Sequence, residues 1–404
     1  MKNFRFSNKL LMGAAIAVTM SVSFSSCSDD DDEPDPKPTQ LNSGNTVVSS
    51  NISANTTWTK DNVYQLGGRI TVLDGVTLTI EPGTIIKGEA GTGANATALL
   101  VARGGKLMAE GTAAEPIIFT SVADEIEPGQ TVSPNLDPDL NGYWGGVIIL
   151  GKAPISASAN EIQIEGIPTS DANGLYGGSQ SADNSGVIKY ISIRHGGSNI
   201  GAGNEINGLT LGGVGTGTVI ENIEVVGNQD DGIEWFGGTV NVKNALVWNA
   251  GDDAMDTDQA WSGTMDNFIV VTPSGHCFEL DGPEGAASGS HTFINGTVIA
   301  SDTANGIESS DLINVDANSE VTLQNIHIMG IAGGQQIRED KGSDVSMVAG
   351  VTFTGITLDV PSADLANYVD GTVPAGVTAG GTSKADASVF GWTWAGTAGM
   401  LTGL

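Results

Sequence analysis

Five segments between residues 219 and 340 repeat one alternation of apolar and polar positions. In each segment an asparagine follows an apolar residue two places back, and most of the asparagines precede apolar residues at the next and third places. The asparagines are Asn222, Asn244, Asn267, Asn295 and Asn325. Alternation with a period of two is typical of a half-buried strand. We therefore expect each asparagine to lie in a strand whose apolar residues face a core.

A second short strand is predicted 12 or 13 residues after each asparagine, with a polar residue on its outer face. The asparagines recur at intervals of 22, 23, 28 and 30 residues. A period of this size, built from strands and glycine-rich turns without helical stretches, predicts an all-β solenoid of the parallel β-helix type. Coils of such a solenoid stack about 4.8 Å apart, so equivalent residues form ladders. We expect the asparagines to form an inward-facing polar ladder at a corner.

The polar residues of the second strand form a predicted outward row that is mostly acidic. The row consists of Glu234, Asp256, Glu279, Glu308 and Arg338, with Asp258 and Asp281 two places further on. Carboxylates about 5 Å apart repel each other by about 3 kcal/mol at an effective dielectric constant of 20. A face that carries this repulsion is the candidate ligand-binding surface. Trp261 follows a turn beside it, where its ring is placed to stack on a sugar.

Two explanations of the acidic row follow from the residues alone. The first is a solvated face, in which water and counterions screen the repulsion and Arg338 relieves it at one end. The second is calcium, which takes six to eight oxygen ligands from carboxylates and carbonyls. The expected donors are Asp230, Asp231, Asp252, Asp253 and Glu234. A bound calcium ion would be either structural or a bridge to a ligand.

The order of motifs on three successive coils is similar to the active site of polygalacturonases. The motifs are Asn228-Gln-Asp-Asp-Gly232, Asp252-Asp253 and Gly275-His276. The resemblance implies a polysaccharide hydrolase or lyase with acid and base carboxylates at Asp231, Asp252 and Asp253. It also implies an orienting role for His276, although Cys277 replaces the second glycine of that family's Gly-His-Gly motif. Catalysis is therefore a third explanation of the acidic face.

The first 45 residues carry the marks of export and anchoring. Basic residues precede an apolar run that ends near residue 24, which predicts a secretory signal peptide. The run closes on Phe24-Ser-Ser-Cys27, which resembles a bacterial lipobox and implies a lipidated Cys27. Ser28-Asp-Asp-Asp31 then resembles the export signal of Bacteroidota surface lipoproteins. The acidic and proline-rich stretch that follows is predicted to be a solvated tether.

Longer motifs extend the resemblance to the body of the chain. Trp144–Pro154, Asn204–Gly213, Gly251–Trp261 and Trp392–Trp394 are similar to segments of a family of Bacteroidota cell-surface lipoproteins. The resemblance implies a right-handed, pectin-lyase-like parallel β-helix. It also implies an outer-membrane location, anchored in lipid through Cys27 and facing outward. The resemblance implies no established activity.

The predicted layout has four parts. They are a lipoprotein signal peptide over residues 1–26, a tether over 27–45, a β-helix over 46–360 with loop insertions near 121–142 and 157–186, and a C-terminal loop and cap over 361–404. Phe390, Trp392 and Trp394 alternate, which predicts a final strand in a cap over the upper end of the helix.

Charge and cysteine content narrow the function further. The chain has 47 acidic and 16 basic residues and a net charge of −31, which argues against nucleic acid as a partner. If Cys27 is lipidated, Cys277 has no partner, and no intrachain disulfide is expected. We expect binding of a glycan, another surface component or an outer-membrane transporter. The rival functions are a carbohydrate-active enzyme and a structural surface spacer.

Overall fold

The structure is a computed structural model that describes residues 44–200, 205–303 and 306–404. The signal peptide, Cys27 and nearly all of the tether lie outside the described residues. The described chain winds into a right-handed parallel β-helix with two long sheets. In this part of the chain, no helix has the length and apolar character needed to cross a membrane.

The smaller sheet contributes one strand to each coil. Its nine parallel strands, from the lower end upward, are Arg69–Val72, Ala98–Val101, Val147–Leu150, Leu209–Gly212, Ile233–Phe236, Met255–Asp258, Phe278–Leu280, Ile313–Val315 and Ile337–Glu339. In the upper half of the sheet, the strands alternate apolar side chains that face inward with polar side chains that face outward. The outer face of this sheet carries the acidic residues.

The larger sheet covers the other two sides of the coil. In the lower coils these sides are separate strands, which are Gly44–Val48, Asn62–Leu66, Ile85–Gly88 and Ile117–Ser121 on one side and Thr56–Trp58, Thr77–Ile80 and Lys106–Glu110 on the other. From Gly186 onward a single bent strand spans both sides. The bent and terminal strands are Gly186–Arg194, Val219–Asn228, Val242–Ala250, Thr264–Val271, His291–Ile299, Val321–Met329, Val351–Leu358 and Val377–Ala379.

The remaining regular elements are short. Two antiparallel pairs are Ile162–Gln163 with Leu175–Tyr176 and Ser301–Asp302 with Ile307–Glu308. The 3-10 helices are Gly93–Asn95, Ala172–Gly174, Val345–Met347, Leu365–Tyr368 and Ala387–Phe390, and the α-helix is Trp394–Thr397. The described coil strands thus begin at residue 44 and continue to residue 379, beyond the expected range of 46–360.

The repeated asparagines make the bend in the long strands. Asn222, Asn244 and Asn267 have φ values of 58°, 56° and 62°, in the left-handed region that asparagine tolerates better than most residues. The Asn244 amide donates to Asn222 Oδ1 at 3.0 Å, and the Asn267 amide donates to Asn244 Oδ1 at 2.8 Å. Each left-handed residue interrupts the alternation, so the apolar residues on both sides of it face the core.

The asparagine ladder lies on the outer side of the corner, so the expected inward orientation was wrong. Asn267 Oδ1 accepts the backbone N–H of Asp386, in the C-terminal segment, at 2.7 Å. The Asn295 amide donates to Asp266, which follows the fully buried Met265 and therefore points outward. A left-handed corner turns the amide away from the core, which the neighbouring apolar residues fill.

Two stretches leave the coil between strands of neighbouring rungs, at residues 122–146 and 151–185. The second stretch folds back over the smaller sheet. Its Tyr176 packs edge-on against Phe236 with ring centroids 6.0 Å apart, and both side chains are buried. Phe236 ends a strand of the smaller sheet, and the loop buries its ring. This loop therefore forms a wall beside the acidic residues.

The C-terminal segment packs against the side of the larger sheet rather than over its upper end. Trp394 begins an α-helix, not the expected strand, and its ring lies 5.0 Å from the guanidinium of Arg194. The backbone N–H of Ala395 donates to Glu224 at 2.9 Å. The upper end is instead covered by Val369 and Val377, which are buried against the main core. Cation–π attraction to Arg194 and the hydrogen bond from Ala395 to Glu224 hold this segment on the side face.

Replacing Asn244 by alanine is expected to lower the free energy of unfolding by about 2–3 kcal/mol. The change removes two ladder hydrogen bonds and leaves an ordinary side chain in a left-handed conformation. Asn244→Gly is the matched control, because glycine adopts this conformation without steric cost, and its expected loss is about 1–2 kcal/mol. Urea unfolding followed by circular dichroism measures both. An alanine variant as stable as the glycine variant would contradict the role of the corner.

Candidate functional site

Three acidic side chains lie one above another on the outer face of the smaller sheet. Glu234 pairs in register with Asp256, and Asp256 pairs with Glu279. Met255 and Phe278, one position earlier in their strands, are fully buried in the core. Because neighbouring residues of a strand point to opposite faces, the three carboxylates share the outer wall. The structure therefore brings together the residues that the sequence repeat predicts to be stacked.

Glu308 is not part of this ladder, so that prediction was wrong. It is exposed in a two-residue strand that pairs antiparallel with the chain just before it. Asn314 occupies the position opposite Glu279, and Arg338 lies opposite Asn314. The small antiparallel pair adds residues to this coil. The residue 13 places after Asn295 is therefore Glu308, and the ladder position comes later, at Asn314.

A second outward row lies two residues further along the strands. Asp258 pairs in register with Phe236, and Asp281 follows Leu280, which pairs with Thr257. The backbone N–H of Asp281 donates to the carbonyl of Thr257 at 2.8 Å, which continues the same register. Asp258 and Asp281 are therefore neighbours on adjacent coils, as the alternation predicts.

Asp231 and Asp253 join successive coils at the turn before the strands. Asp231 Oδ1 accepts the backbone N–H of Asp253 at 2.9 Å, and Asp253 Oδ1 accepts the backbone N–H of His276. The exposed fractions of Asp231 and Asp253 are 7% and 2%. These contacts explain why the motif repeats along the chain, since each carboxylate satisfies the backbone of the next coil. They also place both groups at the floor of the site.

Trp261 cannot stack on a sugar, so its predicted ligand contact was wrong. The side chain is fully buried, its ring stacks on Trp235 with centroids 4.6 Å apart, and its Nε1 donates to the carbonyl of Val240 at 3.0 Å. Gln259 and Ala260 have φ values of 55° and 57°. These two left-handed residues turn the chain so that the tryptophan enters the core.

The acidic rows line a pocket with a volume of about 310 Å³. Its floor is the smaller sheet, and Glu165 and Glu205 contribute from the loops beside it. All of the described residues that line it are acidic; they are Glu165, Glu205, Asp230, Asp231, Glu234, Asp252, Asp253, Asp256, Asp258, Glu279 and Asp281. The sequence pattern missed Glu165 and Glu205, because neither belongs to the repeat and only the folding of the loops brings them here. Arg338 is on the same wall but does not line the pocket.

Burial without opposite charge raises the pKa values of these carboxyls. For Asp230 the causes are burial and then Glu205 and Asp252, which raise its pKa to about 7. Burial and Asp281 raise the pKa of Asp258 to about 7. The pKa values of Asp231, Glu234 and Asp256 are raised well above the usual range by burial, each with help from acidic neighbours. An ion-free pocket therefore retains protons near neutral pH.

Asp253 behaves differently from its neighbours. Burial raises its pKa, but His276 and Glu279 stabilise the carboxylate more strongly, and the net pKa is lowered. The same contact with Asp253, followed by burial, raises the pKa of Glu279 to about 10. The pair of carboxyls therefore shares one proton, as two acids held close together must.

Three sets of side chains each have donor atoms within 4.8 Å of one another, as a shared metal ion requires, and two of the sets share Asp231. The sets are Asp230, Asp231 and Asp252; Asp231, Glu234 and Asp256; and Asp253, His276 and Glu279. The first two offer only oxygen donors, which suits calcium. Asn207 supports the second set, because its side chain is 2% exposed, its amide contacts Glu234, and its Oδ1 has no hydrogen-bond partner. These residues fit a hard dication.

The comparisons with known proteins agree with the architecture. A family model described as pectate-lyase like beta helix domain matches residues 50–396. A search of curated proteins and a search of solved structures found no match. The matched range includes every residue that lines the pocket. It ends beyond the 3-10 helix of the C-terminal segment, so that segment is part of the same unit.

In the absence of divalent cations, the thermal stability of the protein is expected to fall as the pH rises from about 4.5 to about 7.5. Burial raises the pKa of Asp281 to about 6 and that of Asp230 and Asp258 to about 7. The folded chain therefore binds these protons more tightly than the unfolded chain, and this contribution is lost as the pH rises through the folded values. Melting curves at constant ionic strength measure the change.

Asp258→Asn is expected to reduce this pH dependence, because it removes one of the titrating groups. Glu110→Gln is the matched control, since Glu110 is an exposed acid on the larger sheet, away from the pocket. Stability that stays constant or increases over this pH interval in a chelator-treated sample would contradict the electrostatic description of the pocket.

Proposed function

The chain belongs to the family of pectate-lyase-like β-helix domains, and on that premise we propose that it is a surface binding protein whose acidic pocket holds calcium. The bound calcium in turn binds a polysaccharide. The observation that carries this proposal is the pocket itself, which is lined, among the residues that the structure describes, by eleven carboxyl side chains. A pocket of about 310 Å³ is large enough to admit ions together with part of a ligand.

The charge balance of the pocket supports a cation. Glu234 and Asp256 are adjacent in register, and Asp231 lies close enough to share an ion with both. A carboxylate that loses its water must be protonated, paired or bound to metal. No arginine or lysine lines the described pocket, so pairing within it is not the solution. Calcium replaces the missing charge and takes oxygen ligands from several carboxylates at once.

Calcium also determines what the pocket can recognise. Without cations, the negative wall repels uronates and other anionic sugars. A calcium ion held by two or three carboxylates keeps coordination positions for sugar hydroxyl or carboxylate oxygens, because its coordination number is six to eight. Glu165 and Glu205 line the same pocket and add further oxygen donors. The ligand class is therefore a polysaccharide bound through calcium.

The rival proposal is a hydrolase or lyase that uses the four residues of the polygalacturonase-like motif. The structure favours it in one respect, since Asp231, Asp252 and Asp253 line one pocket beside His276. However, Asp231 and Asp253 are buried and each accepts a backbone N–H of the next coil. Carboxylates held in this way support the wall and a metal ion better than they reach a substrate. We therefore favour binding.

Calcium is expected to raise the melting temperature of the protein at pH 7.5, and isothermal titration calorimetry is expected to detect binding. At a free concentration 100 times the Kd, one bound ion stabilises the folded state by about 2.7 kcal/mol. Glu234→Gln and Asp231→Asn should each weaken binding by at least about tenfold, because each removes a buried donor. Glu110→Gln should bind like the unaltered protein. An unchanged melting temperature and a flat titration would remove the calcium proposal.

The same proteins decide between binding and catalysis. Acidic polysaccharides should be retained by the immobilised protein in calcium and released by a chelator. Assays for reducing ends and for unsaturated products accompany the binding assay. Release of either product, abolished by Asp252→Asn and Asp253→Asn, would establish the enzyme instead.

The anchored location remains part of the proposal and is supported by the sequence alone. Lipidation of Cys27 would hold the chain in outer-membrane lipid, with the pocket outward and an outer-membrane transporter as a potential partner. Metabolic labelling with a fatty-acid analogue is expected to tag the full-length protein, and Cys27→Ala should abolish the label. Surface proteolysis of intact cells should remove the unaltered protein. A label that persists in the variant would show that Cys27 is not the anchor.

A further inference from the structure

His276 brings an imidazole to one end of the acidic pocket. Its backbone bridges to Asp311 of the next coil, and its ring Nδ1 lies 3.0 Å from Asp253 Oδ1. The two atoms are close, but the N–H···O angle is too small for a hydrogen bond, and Nδ1 has no hydrogen-bond partner. Glu279 offers a third donor, since one ligand atom from each of Asp253, His276 and Glu279 lies within 4.8 Å of the others.

The spacing of the two nearest donors is that of two ligands on one ion. Zinc binds histidine nitrogen at about 2.0–2.1 Å and carboxylate oxygen at about 2.0–2.2 Å. Two such ligands about 90–110° apart at the ion are then separated by roughly 3 Å. Nδ1 and Asp253 Oδ1 have this separation, and a hydrogen between them would not point along the line that joins them. The separation of the two atoms therefore fits one ion bound to both.

Asn314 provides an independent observation on the other side of the ring. Its side chain is 5% exposed, its amide is directed at His276 with Nδ2 3.1 Å from Nε2, and its Oδ1 has no hydrogen-bond partner. The nitrogen and oxygen of an amide are assigned from their surroundings. With the amide turned over, Oδ1 accepts the proton of Nε2 and Nδ1 keeps its lone pair. This is how a metal-binding histidine is usually oriented.

The charges around the ring leave only one side open to a cation. On the Nε2 side, Asp311 Oδ2 lies 4.0 Å away, but Arg338 pairs with the same oxygen at 3.2 Å. The backbone N–H of Gln336 donates to the other oxygen of Asp311 at 3.0 Å. On the Nδ1 side, Asp253 and Glu279 face the ring with no cationic side chain among the described residues that line the pocket. Negative charge thus accumulates at the free nitrogen.

We propose that Asp253, His276 and Glu279 bind a divalent transition-metal ion of the zinc class. This site is distinct from the oxygen-only calcium sets, since it uses neither Asp231 nor Glu234. One nitrogen and two carboxylates are typical ligands of zinc, and they are less suited to calcium, which prefers oxygen. Three protein ligands leave at least one coordination position for water or for a ligand in the pocket. The pocket therefore holds two kinds of metal ion on neighbouring coils.

Cobalt(II) is the probe, because its visible spectrum and paramagnetism report its ligands. The unaltered protein, saturated with calcium, should bind one Co²⁺ and show a solvent-exchangeable, strongly shifted imidazole N–H resonance. His276→Gln should lose that resonance and lower Co²⁺ affinity by at least about 100-fold. Asn314→Leu should lower it by about 10–100-fold, as removal of a partner of a ligand does. Zinc should displace the cobalt.

His327→Gln is the matched control, because His327 lies on the larger sheet and bonds Thr357 there. It should bind Co²⁺ like the unaltered protein. If the unaltered protein binds cobalt but no calcium, the proposed function fails and this metal site is still supported. Unchanged cobalt affinity in His276→Gln, in a variant with native circular dichroism, would overturn the site. So would complete displacement of cobalt by calcium.

Discussion

The structure depends on one constraint, which is that equivalent residues of successive coils stack in register. A parallel ladder at about 4.8 Å leaves no freedom to separate like side chains. For the apolar ladder this is favourable, because Ile233, Met255 and Phe278 form a continuous core. For the acidic ladder it is costly, because Glu234, Asp256 and Glu279 are brought together by the same register. The fold and the site are therefore two faces of a single strand alternation.

The loops determine how strongly this repulsion is felt. An open acidic wall would be screened by water and salt. Here the 151–185 stretch packs Tyr176 on Phe236, and Glu165 closes the pocket from the side. Burial of the carboxyl groups lowers the effective dielectric constant around them and removes water. The pKa values of these groups therefore rise, because solvent no longer screens the repulsion between them.

The turn carboxylates connect stability to recognition. Asp231 and Asp253 each accept a backbone N–H from the coil above, so they belong to the scaffold as much as to the pocket. On the far side of the coil, the buried Arg194 and Glu224 are covered by the C-terminal segment through Trp394 and Ala395. Asp231, Asp253 and Glu224 thus accept backbone N–H groups from neighbouring coils or from the segment that folds over them.

The sequence by itself determined the fold and the stacking of Glu234, Asp256 and Glu279 on its outer wall. Alternation and a 22-to-30-residue period are local patterns, and in a solenoid they translate directly into register. Only the tertiary structure decided what departs from the repeat. Asn314 occupies the ladder position expected for Glu308, because a small antiparallel pair lengthens that coil. Trp261 turns inward because two left-handed residues precede it. Glu165 and Glu205 join the pocket through loop folding, which has no period that a sequence pattern can reveal.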